Sequence, residues 1–407
     1  MILDAHFIVQ LGLLIMQKID NERLGYLVGR VGNRLSSILY SSVITIFYLN
    51  NNLTNVQIGM IWSILLFSQM LTDFPTGSLA DKIGRLKVYM LGMIFMGVSY
   101  IAFVKFVNNI YMLYVSAALA GLAESLISGT LLPWFMTSYK RKHEDYKRTV
   151  TIKLLADNRI ITSLLSIVLG FIMYYLKLNA RLILIIAGII SIIFGIFLFV
   201  AFEDNGAETK ETILNINKAS FRLFVKEKRL WIYTLILTCG YINFSVYQFV
   251  WQPVAKTFLS EDGYLVLIKS YNMIIIILAG LLIKKLAKDI KLGYAGFILI
   301  VPVSLYFLYI SDSLGKVVLY LTLFTFFRAL VDPILSAYIH DYIPDSLRST
   351  TVSLVSSISS ILLVILQPII GWLLDFNSNK YILMLLILNG VVNYICLFFV
   401  LKDYNNN

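Results

Sequence analysis

The chain has 407 residues, 59% of them hydrophobic and only 14% charged, with a formal net charge of +11. So few polar residues cannot cover a water-soluble fold of this size, which excludes the soluble classes and leaves a membrane protein. The apolar runs are continuous over roughly 20 residues instead of alternating, so they read as helices and not as barrel strands.

Residues 1–16 lack a basic opening region, and Asp4, His6 and Gln10 interrupt their apolar content. Residues 1–26 therefore read as a cytoplasmic or interfacial segment and not as a cleavable leader. Twelve apolar runs follow, at 27–49, 55–79, 87–106, 110–136, 149–175, 180–202, 230–251, 264–284, 292–311, 316–340, 349–374 and 381–401. A long charged stretch, 203–229, divides them into two six-helix units, 27–202 and 230–401, and 402–407 form a tail.

Lysine and arginine orient the spans, because cytoplasmic loops retain them. With the amino terminus inside, the cytoplasmic loops hold Lys82, Arg85, Lys87, Lys140, Arg141, Lys142 and most of the remaining cations. The outer loops hold only Lys105, Lys177, Arg181, Lys256, Lys269, Lys316 and Lys380. Both termini are thus expected in the cytoplasm of a multi-pass cell-membrane protein. The same asymmetry accounts for the positive charge without a nucleic-acid partner.

The sequence offers catalysis little. His6, His143 and His340 are scattered, Cys239 and Cys396 lie inside apolar runs, and no phosphate-binding GxxxxGK[ST] loop occurs. Neither enzyme activity nor a cofactor is expected.

The two units echo one another. "RTVT" (148–151) opens the fifth run and "RSTT" (348–351) the eleventh, while "ESLISG" (124–129) pairs with "DPILSA" (332–337) in the fourth and tenth. This pairing sets Glu124 over Asp332. Internal repeats of this kind build many transporters, with the binding site near the midplane where the repeats meet.

Between the second and third runs stands "DFPTGSLADKIGRLK" (73–87). Its Gly77-x-Leu79-Ala80-Asp81-Lys82-x-Gly84-Arg85-x-Lys87 pattern resembles the G-x-L-A-D-[RK]-x-G-R-[RK] loop of the major facilitator superfamily. Asp73-x-Pro75-Thr76-Gly77 is similar to the lead-in of bacterial members. "SGTLLPW" (128–134), "WQP" (251–253) and "IPDSLRSTTVSLVSS" (343–357) also resemble recurrent member sequences, and the likeness runs from about residue 25 to the end. It implies an all-α fold of twelve transmembrane helices in two pseudo-symmetric bundles that rock about a central cavity. It also makes Asp73, Gly77, Asp81, Gly84 and Arg85 a gating loop, with Asp81 facing the start of the eleventh span.

Ionisable residues deep in a membrane are costly and mark function by default. The third, sixth, ninth and twelfth runs have none away from their ends, which marks them as lipid-facing. Arg30, Arg34, Glu124, Lys153, Asp157, Arg159, Arg328 and Asp332 populate the first, fourth, fifth and tenth, which the resemblance places around the cavity. Glu124 is the preferred proton carrier, and Arg328–Asp332, spaced i,i+4, a switchable ion pair. Lys153–Asp157 has the spacing of a local salt bridge. Arg159 serves either Glu124 or an anionic substrate, and Arg34 points into the cavity. Tyr241, Phe244, Tyr247 and Trp251 form a stripe that reads as packing, an aromatic belt or a pocket wall.

The sequence departs from proton-driven drug exporters in two places. Ala117 and Ala120 occupy the Arg and Gln positions of R-x-x-Q-G, and 163–175 lack the Gly-Pro pair of the fifth-span motif. The expected function is alternating-access transport, with a small molecule as substrate, protons as coupling ion and the bilayer as solvent. Efflux of an amphipathic compound leads. An importer of sugar, peptide or organic anion that clamps its substrate with Arg34, Arg159 and Arg328 is the alternative, and a non-transporting receptor is the third reading.

Overall fold

A computed structural model describes residues 20–142, 148–204, 221–286, 299–340, 343, 348–376 and 379–405. Thirteen helices with described bounds lie among them, beside a short helical stretch at 221–226. The first seven are α1 (Asn21–Asn50), α2 (Asn55–Ile83), α3 (Arg85–Lys105), α4 (Ile110–Ile127), α5 (Leu131–Lys142), α6 (Arg148–Tyr175) and α7 (Ala180–Ala201). The others are α8 (Lys228–Lys256), α9 (Gly263–Leu286), α10 (Ile300–Tyr309), α11 (Leu314–His340), α12 (Arg348–Asp375) and α13 (Asn379–Asn405).

Side-chain caps start several of these helices at short loops. Thr54 and Gln57 form a reciprocal capping box at α2. Asn109 accepts from the Met112 amide at α4, and Asn179 from the Leu182 amide at α7. Each cap satisfies amides that have no partner inside the helix.

Ten helical stretches among the described residues are long and apolar enough to cross a bilayer. That differs from the twelve expected. In α1 the polar Asn33, Arg34 and a series of hydroxyl residues dilute the apolar content, and the described part of α10 has only ten residues. The fourth predicted run is also broken. α4 ends at Ile127, and α5 restarts at Leu131 after Gly129, which adopts φ +67°.

Of α1–α7, taken as the first set, α2 packs on α4, α3 on α4 and α7, and α1 on α6 and α7, while α2 also packs on α12 and α6 packs most closely on α9. Of α8–α13, taken as the second set, α8 packs on α12 and α13, and α11 on α9 and α10. Outward-facing apolar side chains such as Val200, Met384 and Leu388 have no protein cover, as a lipid-facing surface requires. Lack of charge marks that surface well for α7 and α13. It fails for α3, expected to face lipid, which lies between α4 and α7 with Val88, Met93 and Phe103 fully buried.

Candidate functional site

The two sets meet along a seam, and among the described residues most of the hydrogen bonds that cross it gather toward one face of the molecule. That face carries the loops 51–54, 106–109, 176–179, 257–262 and 310–313. It lies opposite the Gly84 turn.

Gln252 on α8 is fully buried at the centre of the seam. Its side-chain oxygen accepts from the Thr45 and Ile46 amides of α1 at 2.9 and 3.1 Å, and its nitrogen donates to the Ser41 carbonyl at 3.0 Å. The amide is thus threaded into the backbone of α1. Nearby, Trp62 of α2 packs on Phe249 of α8, with ring centroids 4.5 Å apart.

Two carboxylates of the second set cap helices of the first. Asp375 accepts from the Asn55 and Val56 amides that open α2, at 2.9 and 3.0 Å. Asp262 accepts from the Ala180 amide that opens α7, at 2.8 Å, and pairs with Lys256 at 2.7 Å. Negative charge at a helix amino terminus is favourable.

Glycine permits the closest approach of α2 and α12. A Cβ on Gly59 would stand 2.5 Å from the Gln367 carbonyl oxygen, and one on Gly371 would collide with that of Asn55. Ser63 donates to the Val364 carbonyl at 2.7 Å along the same contact. Between α6 and α9, Ser270 donates to the Ser166 carbonyl at 2.8 Å.

Below this sealed face the charged residues divide into two groups. Arg34, Arg159, Arg328 and Asp332 share the first. Arg34 lies 3.7 Å from the Met273 sulfur of α9 and close enough to Arg159 for their charges to act on each other. Arg328 pairs with Asp332 at 3.4 Å and covers the Phe244 ring at 4.5 Å. Arg34, Asp157, Arg159 and Asp332 are all exposed. Asp157 makes no ion pair among the described residues.

Glu124 stands apart. It occupies the last turn of α4, not mid-helix, and its neighbours are Tyr40, Tyr89, Tyr100 and Asp73. It forms no ion pair with Arg159, Arg34 or any other described residue. Thr76 and Ser125 share a 2.7 Å hydrogen bond between α2 and α4 one turn from Asp73.

Lys269 requires a correction. The charge reading counted it with the outer loops, yet it lies in the second turn of α9 and is only 8% exposed. Its ammonium donates to the Tyr247 hydroxyl at 3.4 Å and lies 5.2 and 5.6 Å from the Tyr247 and Trp251 ring centroids. The aromatic stripe of α8 is therefore mostly interior packing, since Tyr247 also stacks on Phe324 at 4.7 Å. Phe244 is its exposed member, and Tyr241 shares a 3.2 Å hydrogen bond with Ser356.

At the opposite face Gly84 joins α2 to α3 with φ +109°, a conformation that disfavours any side chain. The α3 amino terminus is capped by Asp204, which accepts from the Lys87 amide at 3.0 Å. Arg85 donates to the Thr137 hydroxyl at 3.2 Å. The side chain of Asp81, the surroundings of Gly77 and the Lys153 partner of Asp157 lie outside the described residues.

A family model described as Major Facilitator Superfamily matches residues 26–362. An uncharacterized MFS-type transporter of Bacillus subtilis (strain 168), YxaM, is 22% identical over 346 residues, which cover 79% of this chain and 82% of YxaM. Among solved structures, the POT family transporter PepTSo aligns with a TM-score of 0.74 at 11% identity, over 96% of this chain and 99% of that one. The nucleoside transporter NupG aligns with a TM-score of 0.71 at 14% identity, over 95% and 99%. At such identities the structural likeness concerns the fold.

Proposed function

The chain belongs to the Major Facilitator Superfamily, and from that premise we propose that it exports a small amphipathic compound across the cell membrane in exchange for protons, by alternating access. One observation carries this reading. Among the described residues the hydrogen bonds across the seam lie mainly toward one face, while ionisable residues in α1, α6 and α11 stay exposed below it. A central site closed on one side and accessible from the other is what a rocking transporter presents in one of its states.

With both termini cytoplasmic, the sealed face is the outer one, and this conformer loads from the cytoplasm. The units 27–202 and 230–401 move as bodies about the central charges. Asp73, Gly77, Asp81, Gly84 and Arg85 then act as a cytoplasmic latch that engages in one state and parts in the other. Glu124 carries the proton. Glu124 forms no ion pair among the described residues, and with Tyr40, Tyr89, Tyr100 and Asp73 within electrostatic reach a proton can supply the charge balance that no cation supplies there.

The test begins in a host stripped of its own exporters, where a panel of toxic compounds identifies one that this chain removes. Flux of that compound in everted vesicles under an imposed pH gradient is then compared with Glu124→Gln. The variant is expected to fold but to lose gradient-driven flux. Undiminished flux removes Glu124 from the coupling step. The exposed arginines favour import of an organic anion as a second reading, and the direction of movement in the same vesicles separates the two.

A further inference from the structure

Among the described residues the central cations outnumber the acids that pair with them. Lys269 is buried, and among the described residues its ammonium reaches no carboxylate. An ammonium has three donors, and only one is used, on a tyrosine hydroxyl at 3.4 Å. Arg34 has five donors and a single thioether contact at 3.7 Å. Lys269 lies within electrostatic reach of both Arg34 and Arg328, and Arg34 within reach of Arg159. Asp332 answers Arg328 at 3.4 Å, and among the described residues no other ion pair reaches the group.

A buried charge without a partner is strongly destabilising, and neighbours of like sign add to the cost. The faces of Tyr247 and Trp251 recover part of it for Lys269 by cation–π attraction. Arg34, by contrast, is exposed, and its charge is free to meet a ligand. A cluster serving only to fix helix register would carry matching carboxylates, as Asp262 with Lys256 does at the seam. What the cluster lacks is a negative charge, and beside it lie apolar surfaces that water wets poorly: the exposed Phe244 ring and Met273.

We propose that the central cavity recognises a small organic anion, with Lys269 and Arg34 holding the anionic group and Phe244 and Met273 meeting a flat apolar body. The inference rests on the transport reading for the position of the site, but not on direction or proton coupling. Lys269, missed in the sequence, is the residue that makes the site selective for charge.

The experiment uses the purified full-length chain and three probes of one shape: 2-naphthoate, 2-naphthamide and 2-naphthylmethylamine. Naphthoate is expected to raise the melting temperature saturably, and the amide and amine to leave it unchanged. Lys269→Met and Arg34→Gln each weaken naphthoate binding about 10- to 100-fold, as loss of one charge-assisted contact does, while Lys269→Arg keeps most of it. A ligand-free measurement guards against a folding defect. Removing one of several unmatched cations is expected to leave the melting temperature of Lys269→Met at or above that of the parent. A lower value means a structural lysine and overturns the proposal. So does equal stabilisation by the amide or amine, naphthoate affinity indifferent to Lys269, or no stabilisation by naphthoate.

Counterflow in proteoliposomes separates this failure from failure of transport. Naphthoate that binds but is not exchanged retains the anion site and refutes transport. Amine or amide that is exchanged while naphthoate is not retains transport and refutes the anion site.

Discussion

Gln252→Leu tests the seam at its most buried point. Leucine fills much of the same volume but abolishes the three hydrogen bonds to Ser41, Thr45 and Ile46. At a net value of about 1 kcal/mol each, these bonds contribute ~3 kcal/mol to the sealed conformer. The amides of Thr45 and Ile46 can rejoin the helical ladder of α1 once the glutamine is gone, which returns ~1 kcal/mol. The remaining ~2 kcal/mol falls on the sealed state alone, because an opened seam makes none of these contacts. That moves the equilibrium roughly 30-fold toward opening. A protein sealed in roughly 99 molecules of 100 becomes sealed in about three of four, a change that pulsed electron-spin distance measurements resolve. Labels at Asn108 and Ser313, in loops of different sets on the sealed face, report it once Cys239 and Cys396 are replaced by serine. A longer-distance population should appear in the variant. An unchanged distribution in a folded variant would refute the claim that Gln252 holds this face shut.

The other seam contacts predict graded effects in the same assay. Asp375→Ala removes an exposed helix cap, so its effect is small, about 0.5–1 kcal/mol toward opening, and high salt in the parent protein mimics part of it. Gly371→Val drives a branched side chain into the Asn55 carbonyl, a backbone atom that cannot step aside, and costs the sealed state about 1–3 kcal/mol. Its signature is a large open population with little loss of overall melting temperature, and the reverse pattern would mark an ordinary packing defect. Asp262→Asn keeps the volume but loses the charge shared with Lys256 and the Ala180 amide, so it opens the α7–α9 side of the seam while leaving Glu124 unaffected. Crosslinking between Tyr174 and Tyr264, whose rings lie 4.4 Å apart, falls accordingly.

The sequence disclosed the class and the framework because those depend on averages. Continuous apolar runs give membrane helices whatever their neighbours, and the 73–87 loop fixed the family resemblance at one place. Arg34, Arg159, Arg328 and Asp332 were legible as central residues because charge inside an apolar run is costly wherever it occurs. Lys269 escaped for a geometric reason. Five residues into a predicted span, a lysine reads equally as a snorkelling end residue or a buried one, and only the tilt of α9 against Tyr247 and Trp251 decides. The seam was invisible for a different reason. Gln252, Gly59, Gly371 and Asp375 are ordinary residues in their own helices, and their meaning arises from partners roughly 200 to 300 positions away in the chain. The break at Gly129 lay in plain view, since "SGT" interrupts the apolar run, but hydropathy averaging smooths over so short a feature.

Alternation itself is tested by labelling both faces of one molecule. The pair Asn108/Ser313 reports the sealed face, and Lys82/Lys228, exposed on the opposite side in different sets, reports the other. Measured in the parent protein and in Gln252→Leu, the first distance should lengthen in the same fraction of molecules in which the second shortens. Lengthening of both, or movement at one face with the other fixed, would contradict two bodies rocking about a central site.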